Sequence, residues 1–163
     1  MKKMFLVVVV VCAVVLSGCQ FGGQNSNNFN IDESEMVPGE TALDLNGQSL
    51  TVVPSDIFNK INLESLNLSN NQLTGALASQ IGQLRNLKVL NLSNNQMTGV
   101  PAEVGQLQNL EILDLSNNQI TGLPNEIGNL KKLKLLNLSG NNYSQQDLAV
   151  IEANLPTDVQ IIK

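Results

Sequence analysis

One unit is written five times between residue 43 and the C-terminal region, and that fixed period constrains the fold more than any other feature. The copies begin Leu43-Asp-Leu-Asn-Gly-Gln-Ser-Leu50, Leu66-Asn-Leu-Ser-Asn-Asn-Gln-Leu73, Leu90-Asn-Leu-Ser-Asn-Asn-Gln-Met97, Leu113-Asp-Leu-Ser-Asn-Asn-Gln-Ile120 and Leu136-Asn-Leu-Ser-Gly-Asn-Asn-Tyr143. The leading leucines Leu43, Leu66, Leu90, Leu113 and Leu136 are evenly spaced except that the second interval is longer by one position. No single copy encloses a core, so each must bury its apolar face on its neighbours, and the chain is a stack of coils.

Within a copy, the Leu-x-Leu alternation predicts a short strand with Leu90 and Leu92 directed inward and Asn91 outward. Stacked copies then form a parallel sheet. Beyond each strand the backbone turns inside the coil, away from water, and needs a buried side chain that both donates and accepts. Asn71, Asn95, Asn118 and Asn141 occupy that place and predict a structural ladder of amides, with Gln48 in the first copy marking a less regular turn. Ser69, Ser93, Ser116 and Ser139 form a column with no recurring base beside it, which reads as turn hydrogen bonding. Thr-Gly pairs at 74, 98 and 121, with Pro54, Pro101 and Pro124, set tight returns, and Ile57, Ile81, Val104 and Ile127 close the far side of the core. The extra residue of the one longer copy predicts an irregularity near Ala76. Ser144 and Asp147 predict a capped helix carrying Leu148, Ile151 and Leu155, followed by a terminal strand in which Val159 and Ile161 fall one regular repeat interval beyond Leu136 and Leu138.

This pattern resembles the leucine-rich repeat, L-x-x-L-x-L-x-x-N-x-L, over residues 38–163, and Gly75-Ala-Leu-Ala78 is close to the G-x-I-P of plant-type repeats. The resemblance implies an α/β solenoid: a right-handed curved coil with a parallel sheet on its concave face, an irregular or short-helical convex side and a helix-plus-strand cap at the C-terminus. It also implies binding through the concave face. Phe29, Ile31, Met36 and Val37 are the candidates for an N-terminal cap.

Ahead of the repeats, Met1-Lys-Lys-Met4 and the apolar run Phe5–Leu16 have the layout of a signal peptide over residues 1–18. Twelve apolar residues are too few for a spanning helix, which needs about 20. Leu16-Ser-Gly-Cys19 resembles the lipobox of bacterial lipoproteins, which implies cleavage before Cys19 and lipid attachment to its thiol. Two acyl chains suffice for stable anchoring. The expectation is an exported protein, lipid-anchored to the bacterial cell membrane or outer membrane, with its domain outside the cytoplasm. Residues 19–37 read as an acidic, Gly- and Asn-rich tether, on the order of 25 Å as a coil.

Composition narrows the function. The absence of His excludes His-dependent nucleophiles, bases and zinc sites, and a net charge of −5 with a pI near 4.6 argues against nucleic acid. No cofactor and no metal site are expected, and the chain is expected to be monomeric and non-catalytic. Asp44 and Asp114 are about 14 Å apart at strand spacing, too far to act as a pair. The candidate ligand surface is the outward set Asn67, Val89, Asn91, Ile112, Asp114, Leu135 and Asn137, in which Val89, Ile112 and Leu135 form an exposed aliphatic strip. Unlike charges alternate along Glu64, Lys88, Glu111 and Lys134 and favour register. Arg85, Lys88, Lys131, Lys132 and Lys134 form a basic edge, read as a solubilising rim with anionic docking as its alternative. The functional expectation is recognition of a protein or glycan ligand; a structural or adhesive envelope role without a discrete ligand is the alternative.

Overall fold

The computed structural model describes residues 41–163. The leader, Cys19, the tether and the apolar residues proposed as an N-terminal cap lie outside the described residues.

Six short strands form one parallel sheet: β1 (Ala42–Asp44), β2 (Ser65–Asn67), β4 (Val89–Asn91), β6 (Ile112–Asp114), β7 (Leu135–Asn137) and β8 (Gln160–Ile162), in that spatial order. Equivalent residues sit side by side, Leu43 against Leu66, Leu90, Leu113 and Leu136 in turn. The period therefore becomes a register, and the inward leucines stack into one continuous core. Leu66, Leu90, Leu113 and Leu136 and their partners Leu68, Leu92, Leu115 and Leu138 are completely buried.

The opposite wall consists of four 3-10 helices, Ser55–Asn59, Ser79–Gln83, Ala102–Gln106 and Asn125–Asn129. Pro54, Pro101 and Pro124 stand in extended conformation immediately before three of them, where a missing N–H costs nothing. Each helix buries one β-branched residue, Ile57, Ile81, Val104 or Ile127. The next residue is Gly82, Gly105 or Gly128 in the last three helices and the buried Phe58 in the first. A Cβ at Gly105 would stand 2.7 Å from the Cβ and 2.8 Å from the carbonyl carbon of Glu126, so glycine sets how closely neighbouring helices stack.

A smaller parallel sheet, β3 (Thr74–Ala76) with β5 (Gln96–Gly99), runs along the flank. Its register shifts between Gly75 and Ala76, where the longer copy carries its extra residue. The last coil replaces the 3-10 helix with α1 (Gln145–Glu152), which lays Leu148 and Ile151 on the open end of the core. Ser144 Oγ accepts the Asp147 N–H at 3.3 Å, while the Asp147 carboxylate accepts from Leu123 N–H at 3.2 Å and so reaches the preceding coil.

β8 corrects the expected register. Ile161, not Val159, lies opposite Leu136, and the Leu138 N–H donates to Ile162 O at 2.8 Å, so the last coil is longer than the regular repeat interval by two positions. The helical detour uses the extra length. A slip of two preserves the face, and Val159 and Ile161 both still pack on the core.

Gly105→Ala is expected to lower stability by about 1–3 kcal/mol through overpacking against the Glu126 backbone. Gly99→Ala, whose Cβ would meet only Ala76 Cβ at 4.0 Å, serves as the near-neutral control. Urea unfolding of the two variants checks the difference.

Candidate functional site

The polar interior of the coil is built from asparagine. Asn95 Oδ1 accepts from Leu73 N–H at 3.0 Å, and its Nδ2 donates to Leu68 O and Leu92 O at 3.0 Å and to Ser93 O at 3.2 Å. Asn71 repeats this with Leu50 N–H and the Leu45, Leu68 and Ser69 carbonyls. Asn118 does so with Met97 N–H and the Leu92, Leu115 and Ser116 carbonyls. Asn141 completes the series with Ile120 N–H and the Leu115, Leu138 and Ser139 carbonyls. Every member thus ties its own turn to the preceding coil. Gln48 is exposed at the equivalent place, so the ladder begins at Asn71, which serves the Leu50 N–H as Asn95 serves that of Leu73.

A second column was not read from the sequence. Asn70, Asn94 and Asn117 have φ of 56°, 55° and 52°, and the equivalent Gly47 and Gly140 have φ of 70°. Only Gly, or Asn with its short polar side chain, adopts this left-handed turn readily. The substitution of Gly for Asn at the two ends of the column was the signal available.

On the concave face the outward side chains lie in register. Val89, Ile112 and Leu135 are neighbours on β4, β6 and β7, and Asn67, Asn91, Asp114 and Asn137 form the adjacent column. The aliphatic strip is half-buried instead of fully exposed, because flanking side chains at the ~4.8 Å strand spacing cover part of each residue. The polar column turns much of its capacity back on the protein. Asn91 Oδ1 accepts the Ser93 N–H at 3.0 Å and hydroxyl at 2.7 Å; Asp114 Oδ1 accepts the Ser116 N–H at 2.9 Å and hydroxyl at 2.6 Å. Asn137 holds Ser139 likewise. These serines therefore cap turns. Laterally, Asn67 Nδ2 donates to Asp44 at 2.9 Å and Asn137 Nδ2 to Asp114 at 3.2 Å. Among the described residues, no group of three or more metal-binding side chains gathers.

A family model described as "Leucine-rich repeat region" matches residues 48–152. The chain belongs to the leucine-rich repeat family. Among solved structures, a leucine-rich repeat protein of Leptospira interrogans is 39% identical with a TM-score of 0.64, over 69% of this chain and 28% of that one. The plant peptide hormone receptor RGFR1 in complex with RGF2 is 31% identical with a TM-score of 0.58, over 68% of this chain and 18% of the receptor. The ectodomain of the receptor kinase GASSHO1/SCHENGEN3 from Arabidopsis thaliana, in complex with Casparian strip integrity factor 2, is 31% identical with a TM-score of 0.57, over 68% and 13%. The chain therefore spans less than a third of each of these proteins. Among curated proteins nothing matches it.

The edge of this leucine-rich repeat sheet is more self-contained than a free basic rim. Lys88 pairs with Glu64 at 2.8 Å and Lys134 with Glu111 at 2.6 Å. Lys132 Nζ donates to Asn109 Oδ1 at 2.7 Å, and Lys131 Nζ donates to Asn154 O at 2.6 Å. Of the five cations that make up the edge, four have partners inside the protein. Asn86 and Asn109 add a ladder missed in the sequence, donating to Ile61 O and Arg85 O of the preceding coils at 2.9 Å.

Asn95→Leu is expected to cost several kcal/mol, since each buried group left unpaired costs about 1–3 kcal/mol. Asn94→Gly should cost far less, and thermal unfolding of both variants makes the comparison. The Lys134 ammonium, hydrogen-bonded to Glu111, holds that carboxyl below its ordinary value. The pair's stabilisation is thus present above the unfolded carboxylate range and is lost as the pH falls through the lowered value. An NMR titration should show the Glu111 pKa rising in Lys134→Met, with no change expected in Lys163→Met.

Proposed function

We propose that this leucine-rich repeat chain is a non-catalytic recognition module that holds a protein or glycan ligand on its concave face, using Asn67, Val89, Asn91, Ile112, Asp114, Leu135 and Asn137. The observation that carries this reading is the in-register concave sheet, which presents these side chains as an open array with area for contact. The family adds support, because leucine-rich repeats commonly mediate protein binding, and two of the similar structures are a plant peptide hormone receptor in complex with RGF2 and a receptor kinase ectodomain in complex with Casparian strip integrity factor 2.

The proposal includes an address. Leu16-Ser-Gly-Cys19 follows a basic start and an apolar run, so the chain is exported, cut before Cys19, and lipid-anchored there with the repeats outside the cytoplasm. Anchoring places the recognition face at a membrane surface, within reach of envelope or extracellular partners.

Cys19→Ala is expected to leave an uncleaved precursor that incorporates no labelled palmitate in a bacterial host; normal processing and labelling would remove the anchor from the proposal. For recognition, a photo-crosslinker at Asn91 on the concave face should capture a partner from envelope extract, while one at Asn125 on the convex wall should not. Capture from neither site by the folded protein would favour a structural or adhesive role.

A further inference from the structure

The flank between the concave sheet and the 3-10 wall carries a second ordered surface. Along it exposed and buried residues alternate strictly, so Gln72 and Thr74, Gln96 and Thr98, and Gln119 and Thr121 face solvent in three successive coils. The left-handed asparagines border these pairs as a third column, in which Asn117 Nδ2 donates to Asn94 Oδ1 at 2.8 Å. Main-chain bonds set the rows: the N–H groups of Gln72, Gln96 and Gln119 donate to Leu50 O, Leu73 O and Met97 O of the preceding coils at 2.8, 2.9 and 2.8 Å. Among the described residues, the glutamine amides and threonine hydroxyls of the array bond to no protein group. No Asp, Glu, Lys or Arg occurs within residues 65–84, 89–102 or 115–125, which supply it. Asp44, Asp114 and Asp147 stand at its borders, each already accepting a main-chain N–H, of Asn46, Ser116 and Leu123.

Paired strands stand about 4.8 Å apart and outward residues recur about every 6.8 Å along a strand, so these side chains occupy a near-rectangular net with those two repeats. A prism face of hexagonal ice presents its oxygens on a net of similar dimensions, slightly tighter in the first direction and slightly wider in the second. Threonine suits such a face. Its branched stem restricts χ1, and it sets a methyl group beside a hydroxyl that both donates and accepts. In liquid water each of these groups already has its hydrogen bonds, so a single contact gains little. A net held in place by its backbone ladder gains where the waters opposite are also fixed, because neither side has much freedom to lose. A sugar chain would surrender its own freedom here and meet no aromatic ring within the three columns.

We infer that this flank is an ice-binding surface, in which the glutamine and threonine columns meet the outermost waters of an ice crystal with Thr98 at the centre of the hydroxyl column. The site lies apart from the concave face and is independent of what that face holds. Both repeats of the net come from the backbone, one from the stacking of coils and the other from the alternation along each coil.

The test freezes the full chain, fluorescently labelled on its lysines and held in mild detergent, slowly onto a cold surface, with labelled detergent micelles as the baseline. Thermal hysteresis of single ice crystals is measured beside it. Enrichment of the chain in the ice, with faceted crystals and a freezing point held below the melting point, is the expected result. Thr98→Lys, which sets a long charged side chain in the middle of the net, should abolish the enrichment, and Asn125→Lys, exposed on the convex wall, should leave it unchanged. Thermal unfolding checks the fold of each variant; if Thr98→Lys does not fold, Gln96→Lys takes its place. Exclusion of the full chain from ice overturns the inference, and so does enrichment that the flank variants leave intact. Exclusion from ice together with retention on an insoluble neutral polysaccharide, lost in Thr98→Lys, overturns it in favour of a glycan on this flank. None of these outcomes bears on recognition by the concave face.

Discussion

A buried primary amide is the interaction on which this molecule depends. Coiling the chain back on itself once per repeat forces backbone N–H and C=O groups into an interior with no water, and one asparagine per coil answers four of them. No aliphatic side chain can do this. Serine or threonine lacks the reach and the second donor, and a carboxylate brings only acceptors at neutral pH. Because each asparagine bonds to its own turn and to the one before, the same group that satisfies the interior also sets the coil-to-coil register. The leucine stack and the parallel sheet follow from that register.

The two walls of the solenoid are then asymmetric for a simple geometric reason. Strands on the concave side are held at the spacing of a β-sheet ladder, while the 3-10 helices opposite are held apart by side chains. At Gly82, Gly105 and Gly128 nothing but hydrogen separates a helix from its neighbour's backbone and side-chain stem. At Phe58 a whole ring is buried instead. Spacing on that wall is thus written residue by residue, and the first coil is set differently from the three that follow.

Nearly all of the architecture was legible because a repeat states each rule several times. The Leu-x-Leu alternation identified the strands and their facing, the single extra residue located the register shift at Gly75 and Ala76, and Ser144 marked the start of α1. What escaped was set by interactions between coils that differ. The length of α1 shifted β8 by two positions, which no spacing rule anticipates when a short 3-10 helix gives way to a true helix. The left-handed asparagines were hidden beside the more conspicuous ladder. The basic edge looked free because sequence shows charge and not distance; Lys131 and Lys132 find oxygen partners on other coils.

The cross-coil bonding also fixes how the fold responds to mechanical force. Every ladder asparagine reaches one coil back and none reaches two, so tension applied at the C-terminal end meets one interface at a time. Extension then proceeds in steps, each releasing one repeat, on the order of 80 Å of chain. A stack built this way would lengthen by whole coils under load while those still stacked keep their shape.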